Sequence, residues 1–495
     1  MKISIFHSAL TNPALPPKIA GAAESGVVIG SDFARTHQLA FILSVGAPTK
    51  RGWEGFSLAE LAIHKKQNVI GAKDYIALLT LQRQIAVSDI RGMRARLADL
   101  PKSDELLRRR RALPVSALNP TEPATAVIKG VESFLRRSGY SFVDNAIQNL
   151  SELAPGRLPF RTIPTLYSTH LLLLVTSGIT YLEAALIGKY LSNPDEFLIR
   201  KITVIVEDST AWDRVKQSVE PYAQFEEETV DPCADLQRLV NYGHLPWDTD
   251  TLLGHAKRLR TLAVARGLSI IAVTQTKADT CALLMRLVEL GVPVHCSQSA
   301  LVVMRPGIFT LMSFISLARG IAPLPALVRL MDSTPNVGAR EFDHLYDVLK
   351  TPGGTTQQCL KEMGVLIAHL GALSREQSDA PDEVLLKTKA SMPVWAPSKD
   401  CSDIDEYWPA LAMWASRFTN INQMLIEFWR LRVLLSGWTG YRPDSGIEVT
   451  ETLPSPQTTK MLVLIRPEEA MTQEILWTYQ TNSLIKAPIV TSSLH

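Results

Sequence analysis

Cysteine is scarce and scattered in this sequence. The five residues, Cys233, Cys281, Cys296, Cys359 and Cys401, form no pair at the short spacing of a zinc site or an iron–sulfur cluster, so no metal is expected. The odd number suits a reducing compartment. Net charge is small as well. Fifty-one basic residues against 49 acidic ones leave +2, which exerts no global pull on a polyanion, so any nucleic-acid contact must come from local basic stretches. Long apolar runs are missing: the most apolar stretch, Leu171–Val175, is far too short to cross a bilayer. Met1–Leu10 lacks the layout of a signal peptide, and Pro13, Pro16 and Pro17 follow directly. A cytoplasmic protein without membrane contact is expected. No Gly-x-x-x-x-Gly-Lys-Ser/Thr occurs, so the cradle of backbone amides that holds nucleotide phosphates is absent, and neither ATP nor magnesium is expected. Repeats, low-complexity tracts and a nucleophile elbow are also lacking. No two of the ten histidines stand at ligand spacing; His37, His64, His170 and His295 read as partly buried polar residues.

What is present describes an ordered chain. Apolar residues make up 46% and charged residues 20%, and 495 residues are too many for one core, which points to three or four domains. Short strand-like runs alternate with amphipathic helical ones, the pattern of parallel α/β units. Ser25–Ile29 reads as a buried strand followed by a helix over Phe33–Leu43. Asp74–Leu153 is helical, and Lys201–Val206 with Thr210–Tyr222 is a second strand–helix unit. The clearest unit is a strand at Ser269–Val273, a helix over Asp279–Leu290, Gly291 at the C-cap position, Pro293 as a stop, and a return strand beginning at Val292–His295. Pro306 to about Tyr441 is mostly helical, broken at Ser391–Lys399, and strand character returns at Ile447–Thr450 and Met461–Ile465. The layout is two α/β cores, each interrupted by a long helical insertion.

Residues 271–295, from Ile271-Ala-Val-Thr-Gln-Thr-Lys-Ala-Asp to Leu290-Gly-Val-Pro-Val-His, resemble the second motor domain of UvrD-like superfamily 1 helicases. Arg305-Pro306-Gly-Ile-Phe-Thr-Leu-Met and Ser333-Thr-Pro-Asn-Val-Gly338 continue the likeness in order. Weaker echoes lie at Gly26–Ser31, at Phe56-Ser57-Leu58-Ala59-Glu60-Leu61, at Lys201–Asp208 and at Gly446–Thr450. The resemblance implies two RecA-like parallel-sheet domains, each interrupted by a mostly helical insertion. The first would span 1–75 and 160–245 with its insertion at 76–159; the second would span 246–305 and 445–495 with its insertion at 306–444. It also implies lost catalysis. Ser4–Gly21, where the phosphate loop belongs, is proline-rich with only Lys18; the Walker B position reads Glu207-Asp208; and Ser455-Pro456 replaces a Lys-Gly pair. The chain is thus similar to the degenerate subunits AddB and RecC, without the nuclease domain of AddB, since no cysteine follows Cys401.

From this likeness we expect a catalytically inactive helicase-like subunit. It would bind single-stranded or branched DNA, or an active helicase or nuclease partner, in repair, recombination or defence against foreign DNA. Two other classes stay open: a protein-interaction scaffold without DNA binding, and a helical viral nucleoprotein that coats RNA. The candidate phosphate contacts are Arg108, Arg109, Arg110 and Arg111, with Arg91, Arg94, Arg96, Lys65, Lys66, Arg136 and Arg137 behind them; the alternative is a solvated helical face interleaved with Asp99, Asp104 and Glu105. Ser57 and Thr274 are candidate strand contacts by position, or else helix caps and strand ends. Trp408 and Trp429, among Trp414, Phe418, Phe428, Trp438 and several arginines, either stack bases or, as their helical spacing favours, pack a core.

Overall fold

The run Leu171–Val175, too short for a membrane, is a strand at the middle of a sheet. In the computed structural model all five residues are fully buried. Leu172 and Leu174 pack on one side with Val28, Leu39, Leu43 and Trp53, while Leu171, Leu173 and Val175 belong to the main core on the other. A strand covered on both faces has no polar side to show, so it reads as an unbroken apolar run. The structure describes residues 2–7, 26–46, 53–63, 68–89, 100–112, 115–152, 170–192, 201–219, 224–229, 254–260, 270–292, 294–333, 379–436, 447–454, 461–465 and 489–491.

The first sheet is built from β1 (Lys2–His7), β2 (Gly26–Gly30), β3 (Glu54–Ser57), β6 (His170–Val175), β7 (Lys201–Val206) and β8 (Gln224–Thr229). Its order is β3-β2-β6-β7-β1-β8, and every pairing is parallel. Parallel neighbours require crossovers, which are supplied by α1 (Phe33–Gly46), α2 (Leu58–Ile63), α7 (Tyr181–Ser192) and α8 (Ser209–Lys216). Between β3 and β6 lies a helical section: α3 (Ala72–Asp89), α4 (Ser103–Ala112), α5 (Pro123–Arg137) and α6 (Val143–Glu152), with a small parallel pair of β4 (Val69–Ile70) and β5 (Ser141–Phe142).

The second sheet is also parallel, in the order β10-β11-β9-β12-β13, from β9 (Ile270–Val273), β10 (Val294–His295), β11 (Ile447–Thr450), β12 (Met461–Leu464) and β13 (Ile489–Thr491). Helix α9 (Lys277–Glu289) joins β9 to β10. Between β10 and β11 come α10 (Pro306–Arg319), α11 (Pro323–Ser333), α12 (Pro381–Trp395), α13 (Ser398–Ala415) and α14 (Ile421–Ser436). The strand read at Lys201–Val206 has those bounds, and Gly291 does close α9 in the left-handed region at φ 69°. The helix read over Thr210–Tyr222 is shorter: it starts on the Asp208 cap and ends at Lys216. None of the described helices is long and apolar enough to cross a membrane.

Helix α14 ties the two halves together. It packs against α1, α2 and α3 of the first half. Arg430 Nη2 donates to Glu60 Oε1 at 3.0 Å, Ser436 Oγ accepts from the Ala72 amide at 3.0 Å, and Arg432 stands 3.9 Å from the Asp74 carboxylate. The Arg432 guanidinium also lies 3.3 Å from the centre of the Phe309 ring and donates to the Val303 carbonyl at 2.9 Å. Burial lowers Arg432 to about 10 and raises Asp74.

Candidate functional site

In an open parallel sheet the strands end on one rim, helix N-termini face that rim, and ligands bind there. In the first sheet the rim residues are Ser31 and Asp32 after β2, Ser57 at the end of β3, Thr176–Thr180 after β6, and Glu207 and Asp208 after β7. Among the described residues, the helices that follow β2, β3, β6 and β7 each have side-chain caps at the N-terminus. Asp32 Oδ1 accepts from the Arg35 amide at 3.1 Å, and Asp208 Oδ1 accepts from the Thr210 and Ala211 amides at 2.8 and 3.1 Å. Ser57 and Glu60 form a reciprocal capping box: the Glu60 amide donates to Ser57 Oγ at 3.1 Å and the Ser57 amide to Glu60 Oε2 at 2.8 Å. Thr180 and Glu183 repeat it, at 3.2 and 2.8 Å. At each of these four ends, one or two of the amides that a phosphate-binding rim would offer to an anion are taken by the chain's own oxygens.

A cleft opens between the ends of β2 and β6, lined by Ser31, Asp32, Thr176, Thr180, Glu183 and Arg111, among others. Its space is about 40 Å³, room for a water or small ion and far below the roughly 300–1,000 Å³ of a small-molecule pocket. The Ser31 and Thr176 hydroxyls lie 3.2 Å apart. Burial raises Glu183 to about 7, with Asp144 reinforcing the shift and Thr180 and Arg111 opposing it. Among the described residues no group of three or more His, Cys, Asp or Glu is arranged to hold a metal. Cys281 and Cys296 are free thiols that burial pushes up to about 12.

Glu207 and Asp208, which the resemblance sets at the Walker B position, lie on this rim, and both take part in contacts within the chain. Glu207 is buried and ion-paired with Arg35 of α1, and Asp208 is the cap of α8. Lys18, Ser455 and Pro456 lie outside the described residues. Ser57 is fully buried in its capping box. Thr274 is buried at the end of β9, where its hydroxyl meets that of Thr280 at 2.6 Å and its amide donates to the Thr450 carbonyl at 2.9 Å. Both hydroxyls have internal work and no surface.

The four arginines of α4 do not form a basic face. Their side chains leave the helix in successive directions, about 100° apart. Arg110 is buried and donates to Glu132 at 2.8 Å and to Asn145, within a network that includes the Tyr75 hydroxyl. Arg111 donates to Asp144 at 3.1 Å and lies over Phe142. Arg109 bridges Glu105 and Glu122, and Arg108, the most exposed, stands 3.4 Å from Glu105. Arg91, Arg94, Arg96, Lys65 and Lys66 lie outside the described residues.

The aromatic residues pack inward. Trp429 is buried and donates to Ser316 Oγ at 2.8 Å, Trp414 is buried against Phe418 and Phe428, and Trp408 is half-buried under Lys389. Trp438 lies outside the described residues. The alternative reading of Ser57 as a helix cap and Thr274 as a strand end is what the structure shows, whereas the sequence reading misses the box at Thr180-x-x-Glu183 although it carries the signature. It also misses the cleft, which no local pattern encodes. No known family's sequence model matches this chain, and no curated protein is similar to it.

Proposed function

We propose that this protein is a non-catalytic, helicase-like subunit that works by binding DNA, an active helicase–nuclease partner, or both. The support is architectural and chemical. Two parallel sheets, each assembled from strands on either side of a long helical section, agree with the UvrD-like layout of two RecA-like domains. The observation that carries the non-catalytic half is the absence of a phosphate-loop motif from the sequence, and the described part of the rim supports it: four helix N-termini capped by side chains of the chain, Glu207 paired with Arg35, and a cleft of about 40 Å³. Hydrolysis of a nucleoside triphosphate needs free amides, a lysine and a metal-binding carboxylate together.

The test measures ATP hydrolysis by the purified chain with and without single-stranded DNA. No turnover is expected in either case, and DNA-stimulated hydrolysis would sink the proposal. Salt-sensitive binding of fluorescent single-stranded DNA is expected alongside it. The scaffold reading has one observation in its favour, the internal pairing of Arg109, Arg110 and Arg111, and it becomes the better one if no DNA binds at low salt. A nucleoprotein reading took the strand–helix units as coincidental, whereas they assemble into sheets.

A further inference from the structure

Helix α5 presents the free positive charge that α4 does not. Its buried residues, Val127, Ile128, Val131, Phe134 and Leu135, face the core, and Gly130 lies against Gln82 of α3. On the outward side Lys129, Ser133, Arg136 and Arg137 are exposed. Spacings of four, seven and eight residues put them within an arc of about 100° and a length of about 12 Å. Among the described residues none of these three cations has an ion-pair or hydrogen-bond partner, in contrast to Arg109, Arg110 and Arg111. The helix's own acidic residue, Glu132, flanks this face on the side of Arg136, but its carboxylate is occupied by Arg110, Tyr75 and Asn145.

A bland role for Arg136 and Arg137 would be to cap the last carbonyls of α5. The backbone already does so. Tyr140 N donates to Leu135 O at 2.9 Å, Gly139 N to Arg136 O at 3.2 Å, and Ser138 N to Phe134 O at 3.0 Å. Gly139, at φ 73°, makes that turn and has nothing within 4 Å of where a Cβ would sit, so the end of the helix is open to an approaching chain. Exposed guanidinium groups with no partner among the described residues fit a phosphate backbone by charge and by hydrogen-bond geometry.

We infer that the outward face of α5, through Lys129, Arg136 and Arg137, is the surface that holds the phosphate backbone of single-stranded DNA. This rests on the DNA-binding half of the proposed function. The test is fluorescence anisotropy of the full chain with labelled single-stranded DNA across a salt series. Replacing all three cations (Lys129→Ala, Arg136→Ala, Arg137→Ala) should weaken binding by about ten-fold or more at low salt. It should also flatten the slope of log affinity against log salt by about 2, three contacts at about 0.7 each. The pair Arg136→Lys with Arg137→Lys should retain most of the binding, because the charge remains. Arg108→Ala should change little. The substituted residues are exposed, and circular dichroism checks that the triple variant is folded. Undiminished binding by the folded triple variant overturns this assignment and leaves the DNA-binding reading standing. Failure of the unaltered chain to bind at low salt overturns both.

Discussion

Two buried titratable residues pull stability in opposite directions as pH changes. Glu183 has its carboxyl raised from 4.5 to about 7, chiefly by burial. Below pH 4.5 it is neutral in the folded and unfolded chains alike. As pH rises toward 7 only the unfolded chain ionises it, so folding loses stability, by up to about 3 kcal/mol above pH 7. His170 is lowered from 6.5 to about 4 by burial and by Lys201, with its Nε2 2.9 Å from the Thr203 hydroxyl. Above pH 6.5 it is neutral in both states. As pH falls below 6.5 the unfolded chain takes up the proton first, and folding loses up to about 3 kcal/mol by pH 4. Between pH 4.5 and 6.5 the two effects nearly cancel. Glu183→Gln should therefore unmask a melting temperature that rises with pH in that window, and His170→Gln one that falls. Thermal melts followed by circular dichroism from pH 4.5 to 8 decide the matter; identical pH profiles for the two variants would refute both assignments.

At the scale of elements, helix ends are where local sequence and fold agree best. Ser57→Ala removes one arm of the capping box that starts α2 and should cost about 1 kcal/mol in chemical denaturation. DNA affinity should not change, since the hydroxyl is buried. A loss of binding without a loss of stability would show instead that Ser57 contacts the strand. Gly291 ends α9 at φ 69°, and a Cβ there would lie 3.0 Å from the His37 carbonyl oxygen. Gly291→Ala should then cost at least about 1–2 kcal/mol, strain and crowding together, read from the same denaturation curves. The strain was legible from Gly291-Val-Pro293 after a helical period, but the crowding was not, because His37 lies more than 250 positions away in the chain. Strand β6 shows the converse. Leu171–Val175 is conspicuous in the sequence, yet only the cover on both faces gives the run its meaning as a central strand.

For the whole molecule, α14 is one of the elements that join the two sheets, beside α11, which packs on α3, and Gly291, which lies against His37. Helix α14 contributes Arg432, Arg430 and Ser436 to contacts with Asp74, Glu60 and Ala72 in the first half. Removing one partner of a buried charge pair strands the other, which costs about 3–5 kcal/mol where the pair is tight and less at the 3.9 Å separation seen here. Scanning calorimetry of the unaltered protein should give one cooperative transition. Arg432→Ala combined with Ser436→Ala should broaden it or split it in two, and an unshifted single transition in that variant would mean that other contacts couple the halves.

The sequence by itself determined the alternation of strands and helices, the two α/β cores with helical sections between their strands, and the missing phosphate loop. These are local properties, set by hydrophobic period, cap residues and short spacing. Tertiary structure decided the rest. Adjacent arginines on α4 diverge by about 100° each, so a run that looks like one basic stripe is divided between solvent, a bridge to Glu105 and Glu122, and buried pairs with Glu132 and Asp144. Which cations remain unpaired depends on carboxylates brought in from other helices, and no reading of neighbours along the chain supplies that.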